Sequence, residues 1–451
     1  MANFFKVTPK TQKLGQQCTV NISRLDANGC GVAHYQQKNI FIDGALPSET
    51  VVAKVIEQKS KYYRGKLVEI VTAAEHRVKP RCQHFARCGG CDIQHLASEE
   101  QLSFKQQKIT ELFARNEVIQ GRQSNNQSLK IKRELPWQTP ITDKEWHYRR
   151  KARIGVQYNK KGQATIGFRQ KASNQLVAIK TCPVLVEPFD SLFHSLNVLI
   201  AAVSGKNPIG HIEIIASNVN TLIIRQLVKM SVQDRALWLV FAQQHQCQIM
   251  VDDGQSILPL TTCEELSYQI DTDINITFNP DNFIQVNHQI NTKMVAMAMA
   301  WLALTPQDTV LDLFCGLGNF SLPLAKRVNR VVGVEGVDEM VVQAQQNAQA
   351  NQLTNCQFYQ ADLNNDWQSY PWKNETYTKV LIDPARAGAY KAIAQLVKLK
   401  IPQLLYVSCD PATLAKDSQL LLSQGYKIEK ISLIDMFSHT KHIETMVLFV
   451  R

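Results

Sequence analysis

Thr309-Val310-Leu311-Asp312-Leu313-Phe314-Cys315-Gly316-Leu317-Gly318-Asn319-Phe320 reads as a buried strand, a glycine turn and the start of a helix. The glycines allow the backbone to approach a ligand closely. The third glycine of the dinucleotide fingerprint is missing, so the loop belongs to a wider class of nucleotide-like binders. The next apolar run, Arg330 to Val334, ends in Glu335, 17 residues after Gly318, where a carboxylate can accept from both ribose hydroxyls. Gln360-Ala361-Asp362 then offers polar partners for an adenine ring.

Outward from that loop, apolar runs at Val310–Phe314, Arg330–Val334, Val380–Ile382, Leu404–Val407 and Met446–Val450 alternate with helical stretches. Near-continuous apolar strands separated by helices predict a parallel, doubly wound α/β sheet. Together with Glu335 and Asp362, the glycine loop resembles the S-adenosylmethionine site of Rossmann-like methyltransferases. A generic nucleotide-binding domain is the alternative at this point.

Three further motifs fall at expected strand ends: Ile382-Asp383-Pro384-Ala385-Arg386, Val407-Ser408-Cys409-Asp410-Pro411 and Ser438-His439-Thr440-Lys441-His442-Ile443-Glu444. Carboxyl ends of parallel strands face the ligand crevice. Cys409 therefore sits in a reachable polar turn, unlike the usual core cysteine. The combination resembles the RNA uracil-5 methyltransferases along essentially the whole chain. The resemblance implies that Cys409 is the nucleophile that adds to C6 of uracil, and Glu444 the base that removes the C5 proton. It also implies S-adenosylmethionine as methyl donor, held by Gln285, Phe314, Asn319, Glu335, Asp362 and Asp383, the last of which could instead contact the uracil. Asp410 stands where the family commonly has Asn, and Ser438 where it often has Pro.

Toward the N-terminus, residues 12–70 read as five short strands with turns, a small closed barrel of the OB type. Arg24-Leu25 through Gly29-Cys30-Gly31-Val32-Ala33, with Phe41-Ile42-Asp43-Gly44-Ala45-Leu46-Pro47, resembles a TRAM domain. That resemblance implies an RNA-binding barrel, with Lys54, Lys59, Lys61, Arg64 and Lys66 as phosphate contacts and Tyr62 and Tyr63 as stacking rings. Residues 71–275 form a central α+β region with a helix expected over 99–120 and a polar loop over 121–145; the helix could pack on the third domain, residues 276–451. The run His147-Tyr148-Arg149-Arg150-Lys151-Ala152-Arg153 is the densest basic-aromatic stretch and is expected to face RNA.

Eleven cysteines, an odd number, argue against a disulfide framework. Cys82, Cys88 and Cys91 instead ask for a metal, and four thiolates can hold zinc or an iron–sulfur cluster. The resemblance supplies Cys182 as the fourth ligand and implies a [4Fe-4S] cluster with a structural role; His84 and His95 keep zinc open. Radical methylthiotransferases also join a TRAM domain to a cluster, but they need a Cys-x3-Cys-x2-Cys motif, which this spacing does not provide. An RNA-binding protein with an inactive methyltransferase domain would not need Cys409 and Glu444.

The charge is unevenly spread. Residues 1–184 hold 31 Lys and Arg against 14 Asp and Glu, and the remainder 19 against 25, out of a net +11. A basic front favours a polyanion partner. Carrying both barrel and cysteine cluster resembles the branch acting on uridine 1939 of 23S rRNA, whereas tRNA enzymes resembling the catalytic domain lack both. No apolar stretch is long enough to cross a bilayer, and the first ten residues lack a secretory signal's apolar region. The expectation is a cytoplasmic protein that needs only a monomer.

Overall fold

The computed structural model describes residues 14–116 and 134–451. The chain divides into two compact units. One holds Met1–Arg81, Cys91–Phe104 and His439–Lys441; the other holds Cys82–Gly90, Lys105–Ser438 and His442–Arg451.

In the first unit, alternating polar and apolar residues form β1 (Gln17–Asn21), β2 (Arg24–Leu25), β3 (Gly31–Tyr35), β4 (Lys38–Asp43), β5 (Thr50–Gln58) and β6 (Tyr62–Thr72). They make one sheet in the order β1-β5-β6-β4-β3-β2, with β4 and β6 parallel and the other pairs antiparallel. Val20, Ile22, Ala33, Ile40, Ile42, Val51, Ala53 and Val55 fill its core. Successive strand side chains point to opposite faces. Tyr63 is therefore buried edge-on against Tyr35 (centroids 5.5 Å apart), while Tyr62 lies at the partly exposed surface against Phe41. This corrects the expectation that both rings stack on bases: Tyr63 is core. Buried Glu49 binds the Arg77 guanidinium at 2.5 and 2.9 Å and the Leu46 and Ala74 amides, which together hold its carboxyl below the usual range despite burial.

Helix α1 (Ser98–Arg115) begins with Glu99 and Glu100 in its first turn, where they complement the helix dipole. Residues 117–120 of the expected helix, and much of the expected loop, lie outside the described residues. Residues 135–141 run beside the strand Lys427–Ile434, and Trp137 and Ile141 make parallel bridges to Ile431 and Ile434. The segment read as a polar loop thus covers a sheet edge that would otherwise expose unpaired amides.

Among the described residues, the second unit contains two seven-stranded sheets and a two-stranded one. The sheet of the central region comprises β7 (Lys151–Tyr158), β8 (Ala164–Arg169), β9 (Leu176–Ala178), β10 (Ile209–Ala216), β11 (Asn220–Gln226), β12 (Gln248–Asp252) and β13 (Ile257–Pro259), in the order β13-β12-β11-β10-β7-β8-β9. Helices α2 (Phe193–Ala202) and α3 (Val232–Gln244) bury Phe193, Leu196, Trp238 and Phe241 in a core shared with Ile154, Ile212, Leu222 and Ile249. A hairpin of β14 (Leu266–Asp271) and β15 (Ile274–Phe278) runs across residue 275, and its apolar face joins the core of the C-terminal sheet.

That sheet follows α4 (His288–Leu302) and is built from β16 (Thr309–Leu313), α5 (Ser321–Ala325), β17 (Arg330–Glu335), α6 (Asp338–Ala350), β18 (Cys356–Gln360), β19 (Lys379–Ile382), α7 (Tyr390–Leu396), β20 (Gln403–Ser408), α8 (Pro411–Ser423), β21 (Lys427–Ile434) and β22 (Glu444–Val450). The order is β18-β17-β16-β19-β20-β22-β21. The first five strands are parallel, as expected. β22 instead runs antiparallel to both neighbours. The connection from Asp435 to Ile443 is too short for the crossover that a parallel pair requires.

Candidate active site

The sheet order places β16 between β17 and β19, where successive crossovers leave in opposite directions. Ligands of open α/β sheets bind outside the strand ends at such a switch point. The register lines up the expected cofactor residues there. Leu313 pairs with both Val334 and Ile382, and Glu335 pairs with Gln360. Phe314 and Asp383 follow one residue later, so Glu335, Phe314 and Asp383 form a row along the carboxyl edge. Phe314, Gly316 and Gly318 all have positive φ (62°, 54° and 93°), which curls the loop back over the strand ends. Glu335 accepts from the Gly316 amide at 3.1 Å through one oxygen and from the Gly336 and Val337 amides at 2.7 and 3.2 Å through the other.

Asn319 is held reciprocally by Asn291 (2.9 and 3.0 Å) and receives the Tyr268 hydroxyl at 3.2 Å. The first turn of α4 is thereby tied to the glycine loop. Gln285 lies two residues before Asn287, whose side chain caps α4, and its carbonyl accepts from Arg150 Nε at 2.8 Å. Asp362 is exposed just beyond β18 and accepts the Asn364 amide at 3.0 Å.

Asp312 was not singled out from sequence. It is fully buried one residue inside the strand end, and one carboxylate oxygen takes the Ser321 hydroxyl. The other has no hydrogen-bond partner among the described residues. Burial pushes its carboxyl up to about 7, with Asp383 and Glu335 adding to the rise. Burial also raises Asp383 to about 7. An edge lined by reluctant carboxylates and close backbone fits a cationic sulfonium carrying a ribose. The residues present therefore suit S-adenosylmethionine.

Beside this row, Ser408 pairs with Thr445 as the last rung between antiparallel β20 and β22. Cys409 follows directly after β20, and Glu444 opens β22. Glu444 is buried, and its Oε2 has no partner among the described residues. Burial, then Asp383, push it up to about 8, against the pull of Lys105 and Arg386. Burial, then Glu444 and Asp383, push the half-buried Cys409 thiol up to about 11, and Arg386 works against them. A half-buried thiol and a reluctant acid thus lie near the same strand ends, each feeling Asp383 and Arg386. Arg386 was quoted within its motif but not selected, and the signal that finds it is its charge, felt by both groups.

The departures at 410 and 438 are absorbed locally. Asp410 Oδ1 caps α8 by accepting the Ala412 and Thr413 amides at 2.9 and 3.1 Å, a task Asn performs equally well. Ser438 donates to Asp435 at 2.6 Å.

The basic-aromatic run is mostly internal, which corrects its expected role as an RNA surface. Tyr148 and Arg150 are buried, Lys151 Nζ donates to the Pro280 and Asn282 carbonyls (2.9 and 2.7 Å), and exposed Arg153 pairs with Glu213. Strand alternation sends every second residue inward. Arg150 also lies over the Tyr268 ring at 4.4 Å, and burial lowers it to about 10.

Cys82, Cys88 and Cys182 lie in the second unit; Cys91 belongs to the first. Cys182 is pushed up to about 12 by burial, and the Cys82 and Cys88 charges add to it. Cys88 is raised by burial and by Cys82. Cys88 and Cys91 are buried, whereas Cys82 and Cys182 are half-buried. His84 Nε2 accepts the Lys180 amide at 3.0 Å, so that nitrogen is already engaged. His147, Glu187 and Asp190 also converge within 4.8 Å, but His147 Nδ1 is taken up by the Leu185 carbonyl at 3.1 Å and by Asp190. Among the described residues no helix is long and apolar enough to cross a membrane.

Comparison with known proteins agrees with this geometry. The TRAM domain model matches residues 11–68. A 23S rRNA (uracil(1939)-C(5))-methyltransferase RlmD of Colwellia psychrerythraea is 53% identical, covering 100% of this chain and 99% of that protein. One from Aliivibrio fischeri is 43% identical with complete coverage of both. The crystal structure of Pyrococcus abyssi tRNA (uracil-54, C5)-methyltransferase with S-adenosyl-L-homocysteine superposes with a TM-score of 0.73 at 21% identity, covering 96% of this chain and 100% of that one. A tRNA enzyme therefore shares nearly the whole fold, so domain content alone does not separate tRNA from rRNA enzymes. The tRNA (Uracil-5-)-methyltransferase model matches residues 141–451, the span that carries the switch-point row, Cys409 and Glu444, and the chain belongs to that family.

Proposed function

We propose that this protein transfers a methyl group from S-adenosylmethionine to C5 of uridine 1939 in 23S rRNA. The observation that supports the chemistry is that Cys409 follows β20 and Glu444 opens the neighbouring β22, close enough for the Glu444 charge to be felt at Cys409. The substrate assignment rests on full-length similarity to the rRNA enzymes named above.

C5 of uracil is a weak nucleophile. Cys409 thiolate adds to C6, and the displaced π electrons pass through C5 to O4 as an enolate. The sulfonium supplies an electrophilic methyl group. As C5 takes that methyl, the carbon–sulfur bond breaks with its electrons going to sulfur and the neutral thioether leaves; C5 keeps its hydrogen, giving a saturated adduct. Glu444 carboxylate removes the C5 proton; the C5–H electrons re-form the C5=C6 bond and expel Cys409 thiolate. The uridine must leave its stack to reach this pocket. Gln285, Phe314, Asn319, Glu335, Asp362 and Asp383 hold the methyl donor in this reading, with contact to the uracil as the second reading for Asp383. Cys409→Ala is expected to abolish methyl transfer while RNA affinity is kept. Unchanged transfer would refute the nucleophile assignment.

Cys82, Cys88, Cys91 and Cys182 are assigned to a [4Fe-4S] cluster, with zinc as the second reading. Four thiolates leave no iron open, so the role is structural, shaping an iron–sulfur central domain for RNA. Anaerobically purified protein is expected to be brown, to contain iron and to absorb in the visible. Colourless protein carrying zinc would overturn the cluster. A cytoplasmic monomer suffices for all of these steps.

A further inference from the structure

Lys105 on α1 is fully buried, which is rare for lysine unless it is paired. Its Nζ donates to Asp435 Oδ1 at 2.6 Å and to the Phe437 carbonyl at 3.1 Å. Asp435 Oδ2 in turn takes the Ser438 hydroxyl at 2.6 Å, and the Asp435 amide donates to the Ile141 carbonyl at 2.9 Å. Tyr148 closes the set by donating to the Ser438 carbonyl at 3.2 Å. These bonds fix the first residues of the connection between β21 and β22. Its other end is Glu444, which pairs with Ile434, the residue just before Asp435. A buried ion pair is a poor source of stability, because apolar residues of similar volume pack as well or better. Its position next to the base needs another reason.

We propose that Lys105 is a positioning residue for Glu444: it clamps the start of the β21–β22 connection and keeps a fixed positive charge within reach of the carboxylate. The inference rests on Glu444 acting as the base. The charged and titratable groups facing Glu444 are Asp383 after β19, Arg386 in the following loop, Cys409 after β20 and Lys105 from α1. His442 lies against Arg386 at 3.5 Å. Asp383 opposes ionisation of Glu444, whereas Lys105 and Arg386 favour it. Without Lys105, the carboxylate form needed for proton removal becomes scarcer at neutral pH. The step that suffers is release of the methylated adduct.

Two variants remove the charge differently. Lys105→Met with Asp435→Asn deletes both partners, so no buried charge is orphaned, and Lys105→Gln keeps a donor toward Asp435. Each is mixed with an rRNA fragment spanning uridine 1939 and labelled S-adenosylmethionine. Both are expected to accumulate severalfold more denaturation-resistant, methylated protein–RNA adduct at pH 7. The pH dependence of adduct release is expected to move up by about 1 unit, and Lys105→Arg to stay near wild type. Folded variants with wild-type adduct levels and pH profile would overturn the proposal. Glu444→Gln, run in parallel, is expected to trap adduct at every pH. If it turns over normally, the base assignment falls and this proposal with it. If it traps adduct while the Lys105 variants behave as wild type, only the role of Lys105 falls.

Discussion

Glu444 shows at the level of one residue how stability and chemistry conflict. Its carboxyl is raised to about 8 by burial first and Asp383 second. Between the unfolded carboxyl range and pH 8 the folded state binds more protons than the unfolded state, so stability falls as pH rises through that window. Glu444→Gln removes this linkage. Its melting temperature relative to wild type is expected to rise from pH 5 to pH 8; a constant difference would mean that Glu444 is not held protonated. Cys409 stood out because its polar turn follows an apolar run, whereas Glu444 stood out only through the family resemblance of its motif. Asp312 and Lys105 did not, because a lone buried charge has no periodic signature. Tyr63 could have been read correctly from alternation alone, since Tyr62 and Tyr63 must face opposite sides of β6.

At the scale of elements, the site depends on how strands end and helices begin. Asp410 follows Cys409 and caps α8, with Pro411 at the first helical position. Asp410→Ala is expected to cost about 1 kcal/mol of stability, measured by denaturant unfolding, and to slow methyl transfer by loosening the turn that holds Cys409. Asp410→Asn should restore both, and failure to do so would show that charge matters rather than capping. Gly318 has a φ of 93°, and a Cβ there would meet Leu322 at 3.1 Å. Gly318→Val is therefore expected to weaken binding of the methyl donor, read by calorimetry, more than it weakens RNA binding. The parallel strands were visible as apolar runs. β21 was missed because Lys427, Glu429 and Lys430 interrupt its apolar pattern, and its inward residues cluster only from Ile431 onward. The antiparallel direction of β22 depends on a short connection, which apolar runs do not reveal.

Over the whole molecule, the division of charge corresponds to a division of labour. The basic first 184 residues include the barrel and all four cysteines assigned to the cluster, while the acidic remainder carries the whole catalytic sheet. The structure narrows where that charge can meet RNA: Lys105, Arg150 and Lys151 serve internal bonds, whereas Lys54, Arg64 and Lys66 are exposed on the barrel strands. RNA affinity is expected to fall steeply with salt, and each of Lys54→Ala and Lys66→Ala to reduce the slope of log affinity against log salt by about 1. An unchanged slope in both would place the phosphate contacts elsewhere. The central claim is tested most directly by incubating the purified protein with labelled S-adenosylmethionine and 23S rRNA lacking its modifications, then mapping the label by mass spectrometry. The account predicts 5-methyluridine at position 1939 with the wild-type protein and none with Cys409→Ala. Label at a different uridine, or undiminished label with Cys409→Ala, would contradict it.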